Sequence, residues 1–188
     1  MIIIGLTGTI GAGKGTIVEF LVNQKGFEHY SVRAWLLEEI RKRGWPEDRD
    51  SMFNLANELR ALHTASFVTD QLYDIAIKSG RNCVIESIRT PGEIDSLRKK
   101  KNFFLFAVDA DPHLRYERIQ IRHSETDNIS FDEFRENETR EMNSTDPNKQ
   151  NLKKCIEMAD YLFSNNSTRE ELFLHLEKVL GKIEGKSD

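Results

Sequence analysis

The chain opens with a run that leaves little freedom of fold: Met1-Ile2-Ile3-Ile4-Gly5-Leu6-Thr7-Gly8-Thr9-Ile10-Gly11-Ala12-Gly13-Lys14-Gly15-Thr16. An apolar strand leads into a glycine-rich turn, and the turn into a helical pattern. Backbone N–H groups can converge on one phosphate only where Cβ atoms do not block them, which Gly8, Gly11 and Gly13 allow. The helix that begins there aims the positive end of its dipole at the same anion. Lys14 adds a mobile charge for the outer phosphates of a nucleoside triphosphate, and Thr16 a hydroxyl for the accompanying magnesium ion. The motif usually closes Gly-Lys-Ser/Thr; here Gly15 separates Lys14 from the hydroxyl.

Such a loop belongs at the edge of a parallel sheet. Strand-like runs at 2–6, 28–31, 82–87, 103–109 and 159–164 alternate with helical periodicities. The helices fall at about 13–24, 32–43, 50–62, 66–79, 92–100, 112–122, 131–142, 148–158 and 168–182. This rhythm predicts an α/β fold, a P-loop NTPase three-layer α/β/α domain with a five-stranded parallel sheet. With 188 residues, one domain over 1–182 is expected, followed by a polar, frayed tail at 183–188. The connection after the second strand exceeds what a crossover needs, so about 32–80 is expected to be an inserted acceptor-binding arm. The segment 123–147 is rich in charge and poor in large apolar residues, which predicts a weakly packed, short lid.

A net charge of −4 offers none of the basic surplus that nucleic-acid binding calls for. Cys83 and Cys155 are far apart in sequence and in no metal-ligand spacing, as suits buried thiols in a reducing compartment. The apolar start breaks at Gly5, and no segment has the length to cross a membrane. A cytoplasmic protein is expected, as monomer or homodimer, with small molecules rather than nucleic acid or membrane as partners.

Phosphoryl transfer spreads negative charge over oxygens, so the residues to seek are arginines near the loop. The third strand ends Glu86-Ser87-Ile88-Arg89-Thr90-Pro91, an acid three residues before an arginine at the carboxyl edge where ligands of open α/β sheets bind. The same pair could also form a surface ion pair. Ser31 is suited to cap the following helix, on which Arg33 lies, and Arg60 is a second candidate from the arm. Trp35, Phe53 and Phe67 are core aromatics or stacking surfaces. Asp111-Pro112 reads as a cap and first turn, and Arg118 and Arg122 share a helix face at a spacing of four, a repulsive arrangement unless acids or a bound anion relieve it. Arg135 and Arg140 lie on the proposed lid, among acids that could also keep them solvated. The five histidines form no pattern expected of a catalytic base.

The ending Gly13-Lys14-Gly15-Thr16 resembles adenylate kinase and its nucleoside monophosphate kinase relatives, while Gly5-Leu6-Thr7-Gly8-Thr9-Ile10-Gly11 is similar to dephospho-coenzyme A kinase. Glu86 to Thr90 resembles the adenylate kinase segment acid-glycine-phenylalanine-proline-arginine-threonine, without its glycine and proline. The resemblance implies that Glu86 orients magnesium's water shell and that Arg89 holds the acceptor phosphate. It implies acceptor contacts from Ser31 and Arg33, although the family's arginine comes a turn later, where this chain has Leu37. Arg118, in Glu117-Arg118-Ile119, would cover the adenine ring and Arg122 touch phosphates, with Arg135 or Arg140 closing over the transferring group. Asn165 would lie where the family's backbone approaches adenine. ATP binding would thus engage Gly8, Gly11, Ala12, Gly13, Lys14, Gly15, Thr16, Arg118 and Asn165. Lys14, Arg89, Arg118 and Arg122 would act in transfer, with Thr16 and (through water) Glu86 at Mg2+. The Ile88-Arg89 turn and the Arg118 helix are also similar to kinase-like proteins of archaea and to the kinase-like part of some deoxycytidylate deaminases. The expectation is transfer of the γ-phosphoryl of Mg-ATP to a nucleoside or deoxynucleoside monophosphate, leaning to a pyrimidine deoxynucleotide. Dephospho-coenzyme A kinase and a nucleotide-binding regulatory ATPase are the alternatives. In the dephospho-coenzyme A case the hydroxyl acceptor wants a carboxylate base, for which Glu86 or Asp50 would have to serve.

Overall fold

The structure, a computed structural model, describes residues 1–122, 129–144, 146 and 149–185. Within them the chain runs β1 (Ile3–Gly8), α1 (Lys14–Lys25), β2 (Glu28–Ser31), α2 (Val32–Arg43), α3 (Arg49–Leu62), α4 (Phe67–Ser79) and β3 (Cys83–Glu86). It continues with α5 (Pro91–Arg98), β4 (Phe103–Asp109), α6 (Pro112–Arg122), α7 (Phe131–Met142), α8 (Leu152–Glu157), β5 (Tyr161–Ser164) and α9 (Arg169–Glu184). The strands form one sheet in the order β2-β3-β1-β4-β5, and every pairing is parallel. This is the expected three-layer fold.

The strands are buried on both faces, and their alternation sorts side chains into two cores. Ile2, Ile4, Leu6, Val84, Phe106, Val108 and Phe163 point to the layer of α1 and α9. Ile3, Cys83, Ile85 and Leu105 point to the opposite layer, where residues of α2, α3, α4, α5 and α8 cover them. Burial pushes the Cys83 thiol up to about 11 and the Cys155 thiol upward as well, so both are inert packing groups.

Some expected boundaries change, the last strand for one starting at Tyr161 rather than 159. Strand β3 ends at Glu86, because Ser87 turns into the left-handed region with φ 71 and breaks the extended run. The last helix reaches Glu184 instead of fraying from 183, since Ile183 continues the buried stripe of Leu172, Leu176, Val179 and Leu180; residues 186–188 of the expected tail lie outside the described residues. The helix expected over 148–158 is shorter and starts after Asn151, whose side chain accepts the Lys154 N–H and caps it.

The segment expected to pack weakly as a lid has a core of its own. Its residues 123–128, 145, 147 and the neighbouring 148 lie outside the described residues, but α7 is anchored. Ser130 and Glu133 form a capping box at its start. Phe134 is fully buried against Ile10 of the glycine-rich loop and Ile119 of α6, with Tyr116, Ile129 and Phe131 around them. Phe131 and Phe134 in its first turn anchor this helix, whose remaining surface is mostly charged.

Candidate active site

The loop between β1 and α1 has the conformation its glycines foretell. Gly8, Gly11 and Gly13 all have positive φ. At Gly13 a Cβ would come within 2.3 Å of the Asn165 amide nitrogen, and at Gly8 within 2.1 Å of the Val108 carbonyl, so side chains are excluded by contact as well as by φ. Gly15 differs: its φ is ordinary and nothing lies within 4 Å of where a Cβ would stand.

Lys14 Nζ folds over the loop, 2.8 Å from the carbonyl oxygens of Gly8 and Thr9. Burial, reinforced by the nearby Arg89 charge and only partly opposed by Glu141 and Glu86, pushes its ammonium down to about 7. Thr9 Oγ1 donates to Asp109 at 2.5 Å, and Thr7 Oγ1 donates to the Ile88 carbonyl at 2.7 Å, which ties the loop to the ends of β4 and β3.

In front of the loop lies a cavity of about 710 Å³. The structure brings eleven of the sequence candidates to its wall: Gly11, Gly13, Lys14, Gly15, Thr16, Arg33, Arg60, Glu86, Arg89, Arg118 and Arg122. Val32, Leu36, Met52, Phe53 and Ala56 add an apolar wall from α2 and α3. Seven basic side chains face three carboxylates around the cavity, the balance expected of a site for polyanions.

Arg89 is fixed at every level. Its N–H donates to Glu93 Oε2 at 2.8 Å, and its carbonyl accepts the Asn151 N–H at 2.9 Å. Glu93 also closes a capping box with Thr90, and Pro91 sits in the first turn of α5. The guanidinium Nη1 donates to Glu141 and, at 3.1 Å, to Gln150 Oε1. The glycine that adenylate kinases carry after the acid is replaced by Ser87, which nonetheless takes the backbone conformation a glycine would prefer. Glu86 receives a 3.1 Å contact from His29 Nε2 and a hydrogen bond from Ser87. Burial alone would raise its carboxyl, but His29, Lys14 and Ser87 outweigh that and hold it below the usual range.

On α6, Arg118 Nη2 donates to the Asn165 carbonyl at 2.9 Å, while its Nη1 is buried without a hydrogen-bond partner among the described residues. Arg60 is buried, donates to Asn57 at 3.1 Å, and has its guanidinium lowered by burial.

Several candidates stand elsewhere. The Ser31 hydroxyl caps α2 through the Ala34 N–H and is not on the cavity wall. Gly8 and Ala12 lie behind the loop's lining, Gly8 against Val108. Asn165, expected where the family's backbone approaches adenine, is not on the cavity wall and donates its side-chain amide to the Ala12 carbonyl at 2.8 Å, bracing the loop. Arg135 pairs with Glu138 at 2.7 Å, and Arg140 pairs with Asp50 at 2.9 Å and lies over the Phe53 ring; neither lines the cavity. Arg135 takes a flanking acid, as its sequence allowed, whereas Arg140 takes Asp50 of α3. Asp50 is thereby a surface partner. Phe53 does line the cavity, whereas Trp35 and Phe67 contact each other edge to face.

Sequence reasoning missed Arg49, Arg115, Glu138, Glu141 and Gln150. Arg115, 3% exposed, donates to the carbonyls of Ala110 and Ile10 and pairs with Glu138 at 2.5 Å. Glu141, also 3% exposed, joins Arg89 to Arg49 Nη2, the latter at 2.9 Å. A spacing of three between Glu138 and Glu141 on α7 was visible, but nothing local distinguishes it from a solvated acidic face.

Fold and site together define a P-loop kinase-like domain. The chain belongs to the AAA domain family, whose match spans residues 4–143. It is similar along its length to UPF0200 proteins of archaea: 27% identical to that of Methanococcus vannielii, covering 97% of each chain, and 28% identical to that of Thermococcus kodakarensis, covering 99% of this chain and all of the relative. Among solved structures it resembles TT1252 from Thermus thermophilus (TM-score 0.59, 22% identity, 96% and 97% of the two chains). It also resembles a shikimate kinase from Bacteroides thetaiotaomicron (TM-score 0.59, 14% identity, 96% and 98%) and a gluconokinase from Sinorhizobium meliloti (TM-score 0.55, 14% identity, 100% and 98%). At these identities the likeness concerns the fold. Among the described residues no helix is long and apolar enough to cross a membrane.

Proposed function

We propose that the protein is an ATP-dependent phosphotransferase whose acceptor is a small phosphorylated molecule, a nucleoside or deoxynucleoside monophosphate, with pyrimidine deoxynucleotides the first to test. One observation carries this reading: a single cavity is lined by two sets of cations from different elements. Lys14, Arg118 and Arg122 come from α1 and α6 beside the glycine-rich loop, and Arg33, Arg49, Arg60 and Arg89 from α2, α3 and the turn after β3. Two anions brought end to end match that arrangement, and an acceptor that is already anionic needs no base to take its proton.

In this reading the loop N–H groups and Lys14 hold the donor's outer phosphates, and the orphaned Arg118 Nη1 is a donor left for the nucleotide. Arg89, with Arg33 and Arg60, holds the acceptor's phosphate, while the apolar wall of Val32, Leu36, Met52 and Phe53 takes its base. The Thr16 hydroxyl and the ionised Glu86 carboxylate, both on the cavity wall, are oxygen donors that suit Mg2+ held mainly by phosphates and water. When bound, that ion neutralises charge on the phosphate oxygens. The lid expected over 123–147 is part of this reading; protease sensitivity there that a bisubstrate analogue leaves unchanged would count against it. We place the protein in the cytoplasm, as monomer or homodimer.

The test is ATP consumption by purified protein with magnesium, comparing each ribo- and deoxynucleoside monophosphate, dephospho-coenzyme A, shikimate and gluconate against no acceptor. Strong stimulation by one monophosphate is the expected result. Stimulation by a hydroxyl acceptor would overturn the acceptor class, and equal slow hydrolysis throughout would leave a regulatory ATPase.

A further inference from the structure

The acceptor arginines do not stand alone. Glu141 reaches in from α7 and places one carboxylate oxygen on Arg89 Nη1 and the other on Arg49 Nη2, so a single buried acid bridges the turn after β3 to the start of α3. Among the described residues Arg89 engages Nη1 alone in this way and shares it with Gln150. Arg49 lines the cavity, and its Nε is buried with no hydrogen-bond partner among the described residues. A buried donor left unpaired costs about 1–3 kcal/mol, so it is expected to meet an acceptor in some working state of the protein. One turn back on the same helix, Glu138 holds Arg115, which donates to the carbonyl of Ile10 in the phosphate-binding loop. The same face of α7 therefore touches the donor side with one acid and the acceptor side with the next.

We propose that Glu141 is a positioning residue for the acceptor: by clamping Arg49 and Arg89 together from α7, it builds a two-guanidinium subsite for the acceptor's phosphate at a spacing set relative to the phosphate-binding loop. Arg49 thereby joins Arg89 as a direct ligand of that phosphate, while Glu141 does not touch it. The inference deepens the proposed function and rests on it for the identity of the acceptor, but not for the existence of the anion subsite.

Charge and position make opposite demands, and the sign of one experiment separates them. Glu141→Gln keeps the shape but removes a negative charge beside two guanidiniums. If Glu141 merely competed for the arginines, an anion would bind more tightly once it was neutralised. If it positions them, the anion binds more weakly, because an amide can accept from only one of the two.

Inorganic phosphate is titrated calorimetrically into protein saturated with magnesium and a nonhydrolysable ATP analogue, for the wild type, Glu141→Gln and Arg49→Gln. The expected result is phosphate binding by the wild type and at least about tenfold weaker binding by each variant, with affinity for the ATP analogue changed less than about twofold. With the acceptor found by the turnover screen, its KM rises by the same factor and the KM for ATP stays put. Unchanged or tighter phosphate binding in Glu141→Gln, absence of phosphate binding in the wild type, or equal loss of analogue and phosphate affinity would each overturn the proposal. If Glu141→Gln does not fold, Arg49→Gln, at a side chain less buried than Glu141, decides whether the bridged pair of guanidiniums is the phosphate subsite. Failure of every acceptor to stimulate turnover would sink the proposed function, while the phosphate titration would still decide the role of Glu141.

Discussion

The Asn165 side chain spans 2.8 Å from the end of the last strand to the carbonyl of Ala12, so the phosphate-binding loop is braced by a residue more than 150 positions away. Its amide nitrogen also occupies the space a Cβ on Gly13 would need. Asn165→Ala leaves a buried carbonyl unpaired, at a cost of about 1–3 kcal/mol in a loop that must be ordered to bind. We expect roughly tenfold weaker binding of a nonhydrolysable ATP analogue, with the sheet and its melting transition retained. Calorimetric titration and circular dichroism check both halves.

Lys14 carries a pH signature. Its folded value of about 7 lies below the ordinary 10.5, so the unfolded chain holds this proton more firmly. Its contribution to stability is complete above the unfolded value and declines as pH falls toward about 7. A bound triphosphate reverses the shift by supplying negative charge. Binding of an ATP analogue at pH 8 is therefore expected to take up close to one proton per site more than the Lys14→Met variant does, and at pH 6 the difference should vanish. Titration in buffers of different ionisation enthalpy measures this. Lys14→Met should also depress transfer at least about a hundredfold.

Ser87 pays a conformational cost at φ 71 that glycine would not. Relief of about 1–2 kcal/mol of left-handed strain exceeds the roughly 0.5–1 kcal/mol that glycine adds in chain entropy. Ser87→Gly should raise the melting temperature by about 1–3 °C. A lower melting temperature would show that the hydroxyl bond to Glu86 matters more than the backbone.

Arg140→Ala should have little effect. Its partner Asp50 is mostly exposed, and such surface pairs contribute about 0–1 kcal/mol. We expect turnover within about threefold of wild type and the same for Arg135→Ala, whereas a loss of a hundredfold in either would restore the arginine to the transferring phosphoryl group.

Phe134→Ala should free α7. Removing this fully buried ring is expected to cost about 3–5 kcal/mol, concentrated in the small cluster it shares with Ile10 and Ile119. Hydrogen exchange should rise in α7 and in the glycine-rich loop before it rises in β1, and equal acceleration throughout the sheet would show that the cluster is no separate unit.

The elements legible in advance are those whose cause is local. Gly8, Gly11 and Gly13 stand where the backbone takes positive φ, Ser31 caps α2 as its side chain suits it to, and the five strand-like runs become the five strands. Each follows from backbone sterics or capping within a few residues. Lys14, Glu86 and Arg89 share one cavity wall because the loop and the strand ends fix them to one edge of the sheet. The α7 arginines lie off the cavity wall, paired with Glu138 and Asp50, and the sequence around them reads the same way whether they face solvent or substrate.

The sequence by itself therefore determined a parallel α/β sheet carrying a phosphate-binding loop, and the edge at which its cations gather. Only the tertiary structure decided that Glu141 joins Arg89 across 52 residues and Arg49 across 92, that Arg115 joins Glu138 to the loop, and that Asn165 braces Ala12. The physical reason is range: a turn or a cap leaves its mark in neighbouring residues, whereas a buried ion pair between distant elements becomes defined only when packing removes water and brings the two charges together.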